Sequence, residues 1–493
     1  MHGREPETEN RALPSPVAQG PSLGLAGRIL VALVLAAFLA QALLAAFTKS
    51  ATGDELAAHL PSGILYWKTG VFAGGLDNPQ LGQLLVAAGR ILSGTADQPL
   101  RQDPAALVSA RAPVILLGMF FVLLVGVAAA RLAGPVAGWF ALLAAATCPD
   151  VVAHATLATL DLPVTCLFFL SCLLAFRACQ HPGTIRFIAA GVAMALAVLV
   201  KFTATYLFVA LPLAALLFGG SWRVRVRTAA GLLLASTLAL VGLSRLVYLG
   251  GISSDPWRAI ASHAGEMGTA TQTMIRAAVH VAAWVLPSGF VEGLLGKWSH
   301  GSFDVKPTYL LGQWRLEASP LYFPVALLVK TPLPVLFAAV LGGVATLRPV
   351  PWRRPLFLFG VLPAGMVLLA MMFVHQTNIG VRHVLPVLSV LLLLSGIGAC
   401  WLVRSGRLGC ALLGILVLWL VVGAVRITPD QLAYFNELAG GPDGGDAVLI
   451  DTNLDWGQDE GALIRFAANR SVVINPRRPV QGLVAANVQA CTT

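Results

Sequence analysis

Residues 28–47 read RILVALVLAAFLAQALLAAF, and residues 48–55 after them read TKSATGDE. The first stretch is apolar after Arg28 and has about 20 residues, the length one α-helix needs to cross a bilayer. The second stretch closes on two adjacent carboxylates, Asp54 and Glu55. Ionised carboxylates beside lipid are costly, and their presence there points to a site at the membrane surface.

Outward from residue 28, the chain repeats the same theme. About eleven apolar stretches of spanning or near-spanning length occur: Arg28–Phe47, Ala110–Ala130, Pro135–Cys148, Leu162–Phe176, Arg186–Leu199, Thr203–Phe218, Ala229–Leu249, Leu321–Ala345, Leu356–Val374, Val384–Val403 and Leu408–Val425. Of the 493 residues, 57% are hydrophobic and only 11% charged, with a mean hydropathy of +0.79. That is too little charge to cover a soluble surface, so the expected class is an all-α, polytopic integral membrane protein.

Charge sets the expected orientation. Arg28, Arg131, Arg177, Arg186, Arg223, Arg225, Arg227, Arg348, Arg353, Arg354, Arg404 and Arg407 fall in alternate connections, which marks that side as cytoplasmic. The N-terminus is then inside and the C-terminus outside. The net charge of +10 reads as a topology signal, and no basic stripe with interleaved aromatics points to nucleic acid. The seven cysteines include no CxxC pair and imply no disulfide framework.

Three regions follow. Residues 1–26 are a disordered cytoplasmic tail. Residues 27–426 are the transmembrane domain, with outer loops at 48–109 and 250–320. Residues 427–493 form a small extracytoplasmic segment. In the first loop Leu81, Leu84, Leu85 and Ala88 recur at helical spacing, which predicts a helix along the membrane surface.

The polar chemistry collects on the outer side. In Asp54-Glu55-x-x-x-His59, helical spacing puts Glu55 and His59 on one face, with Asp54 at the start. A general base or a cation contact and plain helix capping both fit that pattern. Asp161 precedes Leu162-Pro163 and fits either a helix start or a second carboxylate facing Asp54. Lys201, at an outer helix end, fits snorkelling or a phosphate contact. Arg382-His383 reads the same way, with Arg suited to bidentate phosphate binding. No HxxxH or HxH spacing occurs; no cofactor is required, and a divalent cation is possible but not favoured.

The tail stretch from Asp451 to Glu460 fails as a calcium loop, because Gly457 falls one place late and Ala462 stands where the bidentate Glu belongs. Asp455 and Trp456 remain as a carbohydrate contact, or as a turn before a helix at Glu460–Ala467.

Taken together, Asp54-Glu55, Thr159-Leu160-Asp161-Leu162-Pro163, Lys201 and Gly380-Val381-Arg382-His383-Val384-Leu385-Pro386 resemble bacterial membrane glycosyltransferases of the GT-C fold. The branch is that of protein O-mannosyltransferases and the aminoarabinose transferase of lipid A. Tyr309-Leu310-Leu311-Gly312, Tyr322-Phe323-Pro324, Lys330-Thr331-Pro332-Leu333-Pro334, Tyr434-Phe435-Asn436-Glu437 and Asn453-Leu454-Asp455-Trp456-Gly457-Gln458 are similar to the same branch. The resemblance implies inverting transfer of a sugar from a polyprenyl-phosphate donor to a hydroxyl of a protein, lipid or glycan, at the outer face of a bacterial inner membrane. It implies catalytic roles for Asp54, Glu55 and Asp161, and donor-phosphate contacts from Lys201, Arg382 and His383. His59, Asn78, Asp455 and Trp456 become candidate substrate contacts. Gln80 and Gln83 depart from the branch, which has a second Pro and a Lys after the position of Asn78-Pro79, and the tail is shorter than usual.

Two rivals use the same architecture: a flippase or transporter of polyprenyl-linked lipid, and an inactive homologue that binds such lipid. Transporters tend to place ionisable groups or broken helices at the bilayer midplane, whereas Asp161, Lys201 and Arg245 lie near outer ends.

Overall fold

The computed structural model describes residues 24–71, 78–99, 104–249, 269–303, 307–468, 472–474 and 483–485. The expectations for residues 1–23, for residues 250–268 and for most of the chain past 468 lie outside them.

Every apolar stretch named above is helical. In chain order the helices are α1 (Leu25–Thr48), α2 (Leu60–Thr69), α3 (Gln80–Leu92), α4 (Pro104–Ala133), α5 (Pro135–Thr147), α6 (Pro149–Ala155), α7 (Asp161–Gln180), α8 (Thr184–Val200) and α9 (Leu207–Leu217). They continue as α10 (Trp222–Val247), α11 (Thr269–Val285), α12 (Ser288–Phe303), α13 (Tyr322–Lys330), α14 (Leu333–Ala345), α15 (Arg353–Phe373), α16 (Leu385–Arg404), α17 (Arg407–Ile427) and α18 (Glu460–Ala468).

Among the described residues, 7 helices are long and apolar enough to cross a membrane, or up to 9 if each bent pair is one span. The bent pairs are α5 with α6, at 58°, and α13 with α14, at 112°. Both bends have a proline at the break, Pro149 and Pro332, where the ring removes a backbone donor and the chain restarts with proline in the first turn. Helices α8 and α9 are shorter and apolar. They are separated by extended backbone at Lys201 and a 3₁₀ turn at Phe202–Tyr206.

Helix α16 is central, with 72% of its most apolar window buried against 22% for α1 and α17 and 17% for α10. Lipid tails are as apolar as the helices, so van der Waals packing of small residues holds such a bundle together. The α14–α16 crossing shows this. A Cβ on Gly342 would lie 2.0 Å from the Leu394 carbonyl oxygen, and one on Gly398 would lie 1.9 Å from that of Ala338. Alanine at either place would push the two backbones apart.

Between the spans lie helices α2, α3, α11 and α12 and a short strand pair. Thr308–Leu310 and Gln313–Arg315 form a short antiparallel hairpin, turned by Leu311 and Gly312 at positive φ. Val472–Ile474 and Leu483–Ala485 pair in parallel. The expected helix in the first loop is α3. Gln80, Gly82, Gln83, Val86, Ala87 and Arg90 are buried, whereas Leu81, Leu84 and Leu85 are half-exposed. On the buried face the Arg90 guanidinium donates to backbone carbonyls, reaching Ala106 O at 2.6 Å and Gln98 O at 2.8 Å, while its Nε has no partner among the described residues.

Candidate active site

The site begins where α1 ends. Beyond Lys49 the backbone runs extended to Thr52, then winds into a π-helical turn, Glu55–His59, that leads into α2. A buried ion pair fixes this path. Arg111, about two turns into α4, is fully buried with Glu55. Its Nε donates to Glu55 Oε1 at 2.9 Å and its Nη2 to Oε2 at 3.0 Å. The remaining donors reach Ala46 O at 3.0 Å, Lys49 O at 2.9 Å and Ser50 O at 2.8 Å. Glu55 also accepts from the backbone N–H groups of Thr52 and Ala158, each at 2.8 Å. Burial alone would raise the Glu55 carboxyl, but Arg111 and these donors hold it below its ordinary value of 4.5.

This arrangement corrects one expectation. Glu55 has its acceptor positions filled and faces Arg111, so it anchors the turn and is not presented to a substrate. Asp54, its neighbour, is the carboxylate left at the surface, with its side chain 35% exposed.

Arg382 meets Asp54 from the other half of the chain. Its Nη1 donates to Asp54 Oδ2 at 2.6 Å and lies 3.9 Å from Asp161 Oδ2. Asp161 opens α7 and is ion-paired with Lys201, which closes α8. These four side chains bring together the ends of α1 and α8 and the starts of α7 and α16. The four charges cancel, and three of the groups, Asp161, Lys201 and Arg382, are buried. Arg382 sits just after Gly380, whose φ is +120° and whose Cβ would fall 2.1 Å from Thr452 Oγ1. Only glycine fits that turn.

Two histidines line the same place. His59 Nε2 is 4.0 Å from Asp54 Oδ2. Burial pushes the His59 pKa down to about 4 against the attraction of Asp54, so its ring is neutral at pH 7. His383 packs edge-on against Phe323, and its Nε2 has no hydrogen-bond partner among the described residues. The same holds for His59 Nδ1 and Arg382 Nε. Buried donors and acceptors left without partners are sites where a ligand or water is expected.

The remaining candidates divide. Trp456 belongs to the site, but its ring lies 4.1 Å from the Arg382 guanidinium carbon and is 6% exposed. It is therefore covered by Arg382 and is not the open platform for a sugar that the sequence predicts. Asp455 Oδ1 accepts from Gly457 N–H at 2.9 Å and makes the turn that precedes α18. Asn78 stands at the start of α3, with a buried Oδ1 that has no partner among the described residues and no contact to the four charges. Among the described residues, no group of three or more His, Cys, Asp or Glu is placed to hold a metal ion.

Sequence reasoning missed Arg111 and the role of Asn453. Arg111 carries a signal, since a lone charge near the end of an apolar helix needs a partner. The motif that contains Asn453 was visible but its role was not, because its side chain bonds residues 72 and 131 positions away.

A sequence model of the family described as dolichyl-phosphate-mannose-protein mannosyltransferase matches residues 105–248. The crystal structure of ArnT from Cupriavidus metallidurans bound to undecaprenyl phosphate superposes with a TM-score of 0.55 at 17% identity, covering 83% of this chain and 72% of that one. The apo form of that protein gives a TM-score of 0.33 at 19% identity, covering 83% and 80%. The oligosaccharyltransferase of Archaeoglobus fulgidus in the apo form gives 0.49 at 11% identity, covering 81% and 56%. No curated protein matches the chain in sequence. The superposition on undecaprenyl-phosphate-bound ArnT carries the fold: this chain has the GT-C architecture expected from its motifs.

Proposed function

We propose that the protein is an inverting glycosyltransferase that moves a sugar from a polyprenyl-phosphate donor to a hydroxyl acceptor at the outer face of a bacterial inner membrane. The observation that supports this most is the Asp54–Arg382–Asp161–Lys201 cluster, which holds a surface carboxylate beside two cations at one end of an apolar bundle.

The acceptor oxygen attacks the anomeric carbon from the face opposite the phosphate. Its proton passes to the Asp54 carboxylate, which serves as general base. The bond from anomeric carbon to phosphate oxygen breaks, and its electron pair stays on that oxygen. The donor phosphodiester carries one negative charge and the released polyprenyl phosphate carries up to two. Lys201 and Arg382 stand where that growing charge is stabilised. Asp161 holds both cations in place, and the unpartnered His383 Nε2 offers a further hydrogen bond. A donor phosphate that draws Arg382 towards itself also loosens that residue's bond to Asp54, which returns the carboxylate's lone pair to the acceptor.

The donor's carrier is a membrane lipid, which explains why the cluster lies at helix ends and not in a separate soluble domain. The acceptor class stays open among protein, lipid and glycan. No cofactor has a part in this scheme.

The test is to offer the purified protein, in lipid nanodiscs, a panel of polyprenyl-phosphate sugars and to follow release of free polyprenyl phosphate together with product anomeric configuration. Release with inverted configuration supports the reading. Binding of the lipid without release from any donor, and with transport across a sealed vesicle, would replace it with the flippase reading.

A further inference from the structure

The tail motif Asn453-Leu454-Asp455-Trp456-Gly457-Gln458 contacts Arg382 and the segment that carries Asp54, and the chemistry above gives its side chains no task. Asn453 is fully buried and its amide is saturated. Its Oδ1 accepts from Val381 N–H at 2.9 Å, and its Nδ2 donates to the Tyr322 hydroxyl at 2.8 Å and to Ile450 O at 3.1 Å. Its own carbonyl accepts from buried Lys330 Nζ at 2.6 Å. The Thr452 hydroxyl donates to Ile379 O. The turn that carries Arg382 is thus held by the tail on both sides of Gly380.

The other end of the motif grips the segment that carries Asp54. Gly53 N–H donates to Trp456 O at 3.0 Å, and Ser50 N–H donates to Gln458 O at 2.8 Å. The Gln458 side chain closes the loop by accepting from Trp456 N–H at 2.7 Å. Between these two grips the indole ring lies 4.1 Å from the Arg382 guanidinium carbon.

We infer that this motif is the positioning element of the site, with Trp456 orienting the Arg382 guanidinium for phosphate and Asn453 fixing the turn beneath it. The inference rests on the proposed donor site. Its physical basis is the shape of the guanidinium. A cation resting on an aromatic face keeps its N–H groups in the ring-parallel plane, where they point sideways at an acceptor. Fixing that plane before the donor arrives removes the cost of orienting a long side chain during binding. Trp456 acts through Arg382 and touches neither the sugar nor the acceptor in this scheme.

A plain packing role is the alternative, since Trp456 also buries against Ala153, Leu157 and Leu432. The two separate on rescue. The full-length protein in lipid nanodiscs is titrated with undecaprenyl phosphate for the wild type, Trp456→Leu, Trp456→Phe and Arg382→Ala, and thermal unfolding is recorded for each. Holding one long side chain in place before binding corresponds to a change in affinity of up to about tenfold. The expected result is a loss of about tenfold for Trp456→Leu, near-wild-type affinity for Trp456→Phe, and similar falls in thermal midpoint for both. Equal affinity losses in both variants, in step with their thermal midpoints, would reduce Trp456 to packing and overturn the inference. So would wild-type affinity in Trp456→Leu while Arg382→Ala binds weakly. If Arg382→Ala itself binds like the wild type, the phosphate role of Arg382 fails, which is a separate result. Trp456→Met, another aliphatic filler, replaces Trp456→Leu if that variant does not fold.

Discussion

Arg382 bonds Asp54 at 2.6 Å and stands 3.9 Å from Asp161, so one guanidinium joins a surface carboxylate to a buried one. The buried one is already paired with Lys201. This gives the two carboxylates different work. Asp161 is enclosed by two cations and is suited to holding them. Asp54 is partly open and has one partner that a phosphate competes for.

Replacing Lys201 by Met should therefore act on stability as well as on binding. It leaves the Asp161 charge buried with a single cation at 3.9 Å, and removing one partner of a buried pair costs roughly 3–5 kcal/mol. Thermal unfolding in detergent checks this. An unshifted midpoint would mean that Lys201 reaches solvent and holds Asp161 only loosely.

Glu55 and Arg111 are the anchor for the Asp54 turn. Glu55→Gln and Arg111→Met should each destabilise the protein by about 3–5 kcal/mol, and the double variant by clearly less than the sum. Arg111→Lys should behave like Arg111→Met, because an ammonium cannot supply the five bonds that the guanidinium makes. A double-mutant cycle by chemical unfolding measures the coupling, and additive effects would remove the pair from this role.

Acid should weaken the fold in two steps. The His59 pKa is lowered from 6.5 to about 4 by burial, so the unfolded chain binds a proton between those values that the folded chain refuses. Stability then falls as pH drops from about 6.5 and the effect levels off below about 4. Glu55 has the opposite origin and the same sign. Its folded value lies below 4.5, so its contribution is present above 4.5 and is lost as pH falls through the lower folded value. Thermal midpoints from pH 7 to pH 4 should slope downward, and His59→Gln should flatten the upper part. A wild-type midpoint independent of pH over this range would contradict the buried neutral imidazole.

Gly380→Ala tests the turn under Arg382. A Cβ there meets Thr452 Oγ1 at 2.1 Å in a backbone conformation at φ +120°. Donor affinity should fall about as far as in Arg382→Ala, since both displace the same guanidinium. Unchanged affinity would show that the turn has room to move.

The sequence carried the fold because its signals are local. Apolar length marked the helices, but not the two bends at Pro149 and Pro332, since Leu321–Ala345 reads as one unbroken apolar stretch. Asp54, Asp161, Lys201 and Arg382 were legible as charges at helix ends in an otherwise apolar chain. Their pairing was not, because it depends on which ends meet. The split between Asp54 and Glu55 was also hidden. Two adjacent carboxylates look alike in sequence, and only the path of Arg111 decides which of them is consumed. Trp456 misled for a related reason. An indole beside polar residues reads as a sugar platform until Arg382 is seen covering it.

Asp54 as the base is tested most directly by single-turnover transfer from a radiolabelled polyprenyl-phosphate sugar in membranes holding the wild type or Asp54→Asn. Loss of a general base costs about 10²- to 10⁴-fold in rate. Asparagine still accepts a bond from Arg382, so donor binding should survive in the variant. Label moving to an acceptor or to water with the wild type only, at similar donor binding, is the predicted result. Transfer by Asp54→Asn at the wild-type rate would contradict it and return the search for the base to His59 and Asp161.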